Sequence, residues 1–211
     1  MKRKIFAAIL ITVGLAALSV PLFYHFYGSH RTGEMIAQFE HSMEQQSGDE
    51  ATEKETAETE AAVNTEKTAL PEGENVIGLI EIEALELKYP VLEGTESGQL
   101  SACIGHISNT AAIGEPGNCV LAGHRGSRYG TFFKHLNRLI EGDRVKLTDK
   151  EGRVSFYEVD SWEVVDPYDN SVKAQGEKTE LTLLTCENSG TMRLIYHCSY
   201  IGQEEKEGGR Q

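Results

Sequence analysis

Cys186 and Arg193 lie on either side of a predicted β-turn, which brings a thiol and a permanent cation into one hairpin. The segments 180–186 and 191–201 are rich in apolar and β-branched residues, and the intervening Glu187-Asn188-Ser189-Gly190 is typical of a turn. The sequence therefore predicts an antiparallel hairpin with Cys186 at the last position of its first strand.

The register of this hairpin decides how the thiol and the cation are related. A four-residue loop pairs Cys186 with Thr191 and Leu184 with Arg193. The Cys186 and Arg193 side chains then share a face as diagonal neighbours, about 7–8 Å apart, which a long side chain can bridge. A one-residue slip would break this relation. A nearby cation lowers the pKa of a thiol and can stabilise an oxyanion, so the pair suits nucleophilic catalysis.

His124 is the candidate base for this thiol. Residues 118–125 read N-C-V-L-A-G-H-R, a short apolar strand that carries His124 near its C-terminal end, 62 residues before Cys186. An imidazole beside a thiol can act as a general acid and base in covalent catalysis. The adjacent Arg125 is expected to pair with an acid or to point to solvent.

Three motifs resemble the signature of the sortases, the membrane-anchored cysteine transpeptidases of Gram-positive cell surfaces. They are T-L-L-T-C at 182–186, R-L-I at 193–195 and G-N-C-V-L-A-G-H-R at 117–125. The resemblance extends over residues 74–201 and includes G-H-I-S at 105–108. Any one motif alone is a weak signal, whereas the three in this order are highly specific.

The resemblance implies a role for each candidate site residue. Cys186 is the expected nucleophile and His124 the expected general acid and base. Arg193 is expected to hold the oxyanion or the substrate. Thr185 is a further candidate for substrate binding, and His106 a weaker one, because its segment resembles one that lines the sortase substrate groove.

The resemblance also implies the reaction and its partners. Sortases cleave an L-P-x-T-G-like sorting signal between Thr and Gly through a cysteine thioester, and transfer the protein to a peptidoglycan amine or, in pilus assembly, to a pilin lysine. Pilin-polymerising sortases usually carry an Asp-Pro-aromatic lid before the first strands and a second, C-terminal membrane helix. In this sequence the only Asp-Pro is at 166–167, within a later loop, and the last residues are the polar E-E-K-E-G-G-R-Q. We therefore expect single-protein anchoring by a class D or class A-like enzyme. A pilin-polymerising sortase, a hydrolytic cysteine protease and a non-catalytic surface domain remain alternatives.

Composition limits the other functions. The chain of 211 residues has a net charge of −13, which argues against nucleic-acid binding because phosphate repels such a surface. Its four cysteines include no C-x-x-C pair, so structural zinc is not expected. Cys103, Cys119 and Cys198 are expected to be buried apolar side chains, although a bridge between Cys103 and Cys119 remains open.

No metal or other cofactor is predicted. Some sortases use calcium held by acidic residues near the loop 166–178, and acids are available in and before this loop. They are Glu158, Asp160, Glu163, Asp166 and Asp169. Acidic residues are common on protein surfaces, so these five do not by themselves predict a calcium site.

The N-terminus predicts a membrane anchor over residues 1–27. Lys2-Arg3-Lys4 precedes 19 uncharged residues, 5–23. This length is close to the roughly 20 residues that cross a bilayer as a helix, and the basic end is expected in the cytoplasm. The catalytic domain is then extracellular. A cleaved signal peptide is the competing interpretation.

The rest of the chain divides by composition. Residues 28–70 are acidic and poor in apolar side chains, so we expect a solvated stalk that contributes nothing to a core. Residues 71–203 contain about eight short predicted strands separated by turns, typical of a β-barrel. The predicted fold is therefore mainly β, an eight-stranded barrel of sortase type with short helices, one of them at 131–140. A polar tail, 204–211, follows.

Overall fold

The structure, a computed structural model, describes residues 30–44, 76–96, 100, 103–126 and 130–204, together with the isolated positions 14, 19, 20, 23 and 26. The predicted anchor therefore lies outside the described residues except at those five positions. Among the residues described, no helix is both long and apolar enough to span a membrane.

Eight strands within the described residues form a closed barrel, which confirms the predicted architecture. Their order around the barrel is β1-β2-β3-β4-β7-β8-β6-β5. The strands are β1 (Val76–Ile82), β2 (Leu87–Glu93), β3 (Ile104–His106), β4 (Gly117–Ala122), β5 (Arg144–Asp149), β6 (Val154–Val165), β7 (Thr179–Glu187) and β8 (Met192–Glu204).

Strand alternation separates the barrel interior from its outer surface. Leu183 of β7 lies opposite Tyr196 of β8, and both are buried in the interior core. Since successive side chains of a strand point to opposite faces, Cys186 and Arg193 point to the outer face of the barrel. The reactive groups are therefore displayed on the outside of the sheet rather than in its core.

Short 3-10 helices connect several strands. They cover Glu83–Leu85, Leu136–Arg138, Ser171–Lys173 and Asn188–Gly190. The helix predicted at 131–140 is reduced to turns followed by Leu136–Arg138. Phe132 has a φ of 41°, which an α-helix does not allow, so the apolar spacing there is not that of a continuous helix.

Residues 30–44 form a helix, here called α1, whose apolar side packs against β1 and β2. Met35 and Phe39 are only 1% and 6% exposed. They share a cluster with four buried barrel residues, Val76, Leu79, Leu92 and Cys103. Polar contacts add to the packing, since Lys88 Nζ lies 2.6 Å from Glu40 Oε1.

The expectation that nothing upstream of residue 71 contributes to a core is therefore wrong for α1. Met35 and Phe39 are four residues apart, so they lie on one side of the helix and are buried together. Two apolar positions in an acidic context were too weak a pattern to predict this. Residues 45–70, which contain most of the acidic run, lie outside the described residues.

Candidate active site

The hairpin of β7 and β8 places Arg193 directly opposite Cys186. The observed pairs are Cys186 with Arg193 and Glu187 with Met192. The predicted pairing of Cys186 with Thr191 is wrong by two residues. Because two residues are one full repeat of a strand, the shift keeps both side chains on the same face and brings them closer, to a Cβ separation of about 4.5–5.5 Å.

The turn explains the shifted register. Asn188, Ser189 and Gly190 all have positive φ angles, of 46°, 56° and 92°. The Glu187 carboxylate accepts a hydrogen bond from the Asn188 amide at 3.3 Å. The Thr191 hydroxyl donates to the Asn188 carbonyl at 2.8 Å, which holds Thr191 in the turn instead of the strand.

The parallel pairing of β4 with β7 brings His124 next to Cys186. The pairs run from Gly117 with Thr179 to Ala122 with Leu184, a constant separation of 62 residues along the chain. The same separation joins His124 to Cys186. Adjacent strands lie about 4.8 Å apart, so the imidazole and the thiol are neighbours at the strand ends.

Contacts on both sides of the His124–Cys186 position show that this register continues past the last strand pair. Before it, the Gly123 amide donates to the Leu184 carbonyl at 3.0 Å. After it, Arg125 forms an ion pair with Glu187, again 62 residues apart. His124 and Cys186 thus lie between two fixed contacts. The sequence left Arg125 with either an acidic partner or solvent, and the structure identifies the acid.

Arg193 uses part of its guanidinium to hold the hairpin turn. Its Nη1 donates to the Gly190 carbonyl at 2.9 Å and to the Met192 carbonyl at 3.0 Å. These bonds involve one nitrogen of a group that carries five N–H donors. The cation is therefore anchored to the same hairpin as Cys186, in a row that runs from His124 through Cys186 to Arg193.

The four cysteines are all free thiols, and they differ in burial. Cys186 is half-buried, whereas the other three are buried. Burial raises the pKa of Cys103, Cys119 and Cys198 to about 12. These three thiols are therefore poor nucleophiles at neutral pH, and no bridge joins Cys103 to Cys119.

Thr185 and His106 are engaged within the protein. The Thr185 hydroxyl is buried on the inner face and donates to the Gly123 carbonyl at 2.8 Å, so it fixes the end of β4. His106 is 5% exposed. Its Nδ1 lies 2.8 Å from Glu93 Oε2 and its Nε2 lies 3.0 Å from the Ala111 carbonyl oxygen. Both side chains are thus hydrogen-bonded within the protein, and the substrate-binding role expected for each stays a prediction.

The sequence did not identify Phe132 as a neighbour of His124, or Tyr89 as a neighbour of Phe132. The Phe132 ring meets the His124 ring edge-on, with centroids 6.3 Å apart. Tyr89 of β2 stacks on Phe132 with centroids 5.0 Å apart. The apolar spacing of 131–140 indicated a short helix, and no sequence pattern indicates a positive φ at Phe132 or a contact with a histidine.

The described residues contain no group of three or more His, Cys, Asp and Glu side chains that could hold a metal ion. What they bring together is a thiol, an imidazole and a guanidinium in one row on the outer face of the sheet. Such a row can form a covalent acyl intermediate, transfer protons to and from it, and stabilise a negative oxygen.

Known proteins share this architecture. A family model described as the Sortase domain matches residues 80–201. Sortase D of Bacillus subtilis strain 168 is 33% identical over 137 residues, which cover 64% of this chain and 62% of that protein. The match therefore spans less than two thirds of that relative's length.

Solved structures give the same result for the fold. The Clostridium perfringens Sortase D5 transpeptidase superposes with a TM-score of 0.59 and 28% identity, covering 82% of this chain and 98% of that one. Sortase E from Streptomyces avermitilis superposes with a TM-score of 0.57 and 34% identity, covering 65% of this chain and 95% of that one.

Proposed function

This chain belongs to the sortase family, whose members are cysteine transpeptidases, and we propose on that premise that it joins surface proteins to the cell wall. The observation that supports this most strongly is the row of His124, Cys186 and Arg193. Two independent strand registers produce it, the parallel pairing of β4 with β7 and the antiparallel pairing of β7 with β8.

The first half of the proposed reaction forms an acyl-enzyme. The Cys186 thiolate attacks the carbonyl carbon of the scissile peptide bond, and Arg193 donates hydrogen bonds to the resulting oxyanion. The C–N bond then breaks as imidazolium His124 gives its proton to the departing amine. The product is a thioester on Cys186 and a neutral His124.

The second half transfers the acyl group to an amine. Neutral His124 takes a proton from the incoming amine, whose nitrogen attacks the thioester carbonyl. The C–S bond breaks, Cys186 leaves as a thiolate, and a new amide bond is formed. Both groups return to their starting protonation states, so no external reagent is consumed.

The proposed substrate is a protein with an L-P-x-T-G-like sorting signal, and the proposed acceptor is a peptidoglycan amine. Similarity to Sortase D and to a Sortase D5 transpeptidase favours class D within the family. We further propose that residues 1–27 anchor the protein in the membrane with the barrel outside. The basic triplet 2–4 and the 19 uncharged residues that follow it support this orientation.

The test uses an L-P-x-T-G-type peptide with and without an added amine such as triglycine. Mass spectrometry should detect a thioester on the wild-type protein and an amide product only when the amine is present. Cys186→Ala should abolish both while leaving the melting temperature within a few degrees, because Cys186 is half-buried at a strand end. Release of the free acid at the same rate with or without amine would instead identify a hydrolase.

A further inference from the structure

Phe132 adopts a backbone conformation that its side chain disfavours. Its φ is 41°, and its side chain is 2% exposed. Positive φ is a genuine outlier for a bulky residue, because the Cβ atom comes too close to the backbone. Such strain persists only where surrounding contacts impose it, and it is concentrated at functional sites.

Tyr89 supplies the contacts that impose this conformation. Its hydroxyl oxygen accepts hydrogen bonds from the backbone amides of Thr131 and Phe132, at 3.2 and 3.3 Å. The Tyr89 hydroxyl also lies 3.2 Å from the Thr131 hydroxyl. One side chain of β2 therefore holds two consecutive peptide groups of the segment that carries Phe132.

The strained segment in turn touches His124 at two points. The edge-on contact between the Phe132 and His124 rings restricts the imidazole, and the Phe133 amide donates to the His124 carbonyl at 3.0 Å. Gly123 allows this approach, because a Cβ atom at that position would lie 2.8 Å from the Phe133 ring. Gly123 and the His124 backbone are thus both fitted to the same segment.

We propose that Tyr89 and Phe132 are positioning residues that hold the His124 imidazole in line with Cys186. The strand register fixes the position of the His124 backbone. Because His124 lies two residues beyond the end of β4, its ring needs a separate support. Phe132 provides that support, and Tyr89 maintains the backbone conformation in which Phe132 reaches the ring. This inference rests on the proposed role of His124 as general acid and base.

Packing alone does not account for the arrangement. Phe132 belongs to the barrel core, yet a core position can be filled by an aromatic residue in an ordinary backbone conformation. At φ 41° the Phe132 ring contacts His124, while the neighbouring Phe133 is fully buried in the core, and we attribute the strained conformation to this division of roles. A purely structural role would therefore leave the behaviour of His124 unaffected when Tyr89 is changed.

The experiment compares Tyr89→Phe and Phe132→Leu with the wild-type protein by two measurements. The first is turnover of an L-P-x-T-G-type peptide with triglycine. The second is the rate of Cys186 alkylation by iodoacetamide as a function of pH, which reports the imidazole next to the thiol without requiring turnover. We expect kcat to fall about tenfold or more with KM unchanged, since a small misplacement of a catalytic group slows chemistry rather than binding. The alkylation profile should shift towards that of His124→Ala.

Tyr157→Phe is the matched control. The Tyr157 hydroxyl also accepts a backbone amide, that of Gly114 at 3.1 Å, but it lies in the core between β6 and the loop before β4. The Tyr157→Phe variant should lose about as much folding stability as Tyr89→Phe, and it should keep the wild-type kcat and alkylation profile. The proposal is overturned if Tyr89→Phe, folded and labelled at Cys186, retains the wild-type kcat and profile, or if Tyr157→Phe changes both equally.

The two measurements also separate this inference from the proposed function. An inactive wild-type protein, or an alkylation profile that His124→Ala leaves unchanged, would contradict the assigned role of His124. A normal wild-type reaction with an unaffected Tyr89→Phe variant would contradict only the positioning role.

Discussion

At the scale of single residues, burial separates three of the four thiols from Cys186, which is half-buried. Cys103, Cys119 and Cys198 have pKa values of about 12, because a charged thiolate is poorly solvated in the core. We predict that iodoacetamide at pH 8 modifies Cys186 in the native protein at least tenfold faster than any other cysteine. Peptide mapping after a timed reaction measures this selectivity, and in denaturant all four should react alike. Equal labelling in the native state would refute it.

Arg193 tests whether directed hydrogen bonds or charge alone are required. Arg193→Lys keeps the charge but loses the planar set of donors that holds the turn and, as we propose, the oxyanion. We predict a fall in kcat/KM of about 10²-fold or more, comparable with losing one oxyanion donor.

Arg144→Lys on β5 is the control and should leave turnover unchanged. If Arg193 acts only by lowering the pKa of the thiol, Arg193→Lys will retain most activity and Arg193→Ala will shift the alkylation profile instead. Wild-type turnover in both Arg193 variants would remove this residue from the active site.

The residue-scale predictions show what a sequence can and cannot reveal about such a site. Cys186, His124 and Arg193 were predictable as candidates from their residue types, the strand pattern and the resemblance to the sortases. The partner of Arg125 was not, since it depends on a register between segments 62 residues apart. The positive φ of Phe132 was not predictable either, because the local sequence disfavours it and the Phe132 amide is hydrogen-bonded to Tyr89, a residue distant in the chain.

At the scale of elements, the ion pair between Arg125 and Glu187 ties the end of β4 to the end of β7. Arg125 Nη1 also lies 3.4 Å from the Cys186 carbonyl oxygen. We predict that Arg125→Glu and Glu187→Arg each lower kcat/KM about tenfold, because each places like charges beside the catalytic pair and separates the two strand ends. The double charge reversal should restore most of the loss, as a double-mutant cycle on kcat/KM will show.

The surface pair of Lys146 and Glu81, at 3.0 Å, provides a control for charge reversal away from the site. Exposed pairs of this kind contribute only about 0–1 kcal/mol, so reversing it should leave kcat/KM unchanged. Failure of the Arg125–Glu187 double variant to recover would mean that the two charges act independently of each other.

The number of strands was predicted better than their pairing. About eight strands were expected over residues 71–203 and the described residues contain eight, whereas the predicted β7–β8 register was displaced by two residues. Composition identifies a turn, but it does not say that Thr191 belongs to it. That assignment depends on hydrogen bonds made by the Glu187 and Thr191 side chains within the folded turn.

At the scale of the whole molecule, α1 makes the barrel depend on residues that resemble a linker. Burial of Met35 and Phe39 contributes at most about 3–6 kcal/mol. We predict that a chain beginning at residue 71 has a melting temperature roughly 10 °C below that of a chain beginning at residue 28. Cys103, which packs under Met35, should then become reactive to iodoacetamide.

Point variants in the longer chain separate packing from chain length. Phe39→Glu should reproduce much of the destabilisation, whereas Ala37→Glu, on the exposed side of the same helix, should not. Equal melting temperatures for the two chain lengths would show that α1 adds nothing to the stability of the barrel.

The parallel pairing of β4 with β7 has a consequence for the order of folding. The β5–β6 and β7–β8 hairpins join neighbouring segments. Paired positions of β4 and β7, by contrast, are 62 residues apart in the chain, so a long loop must close before these two strands can pair. Closing a long loop costs entropy before its contacts form, so distant pairings tend to be the slow ones. During refolding we therefore expect Cys186 to acquire its guanidinium neighbour with the hairpin and its imidazole neighbour only when the barrel closes. If Cys186 is the nucleophile, as we propose, its full reactivity is then the last property that the folding chain gains.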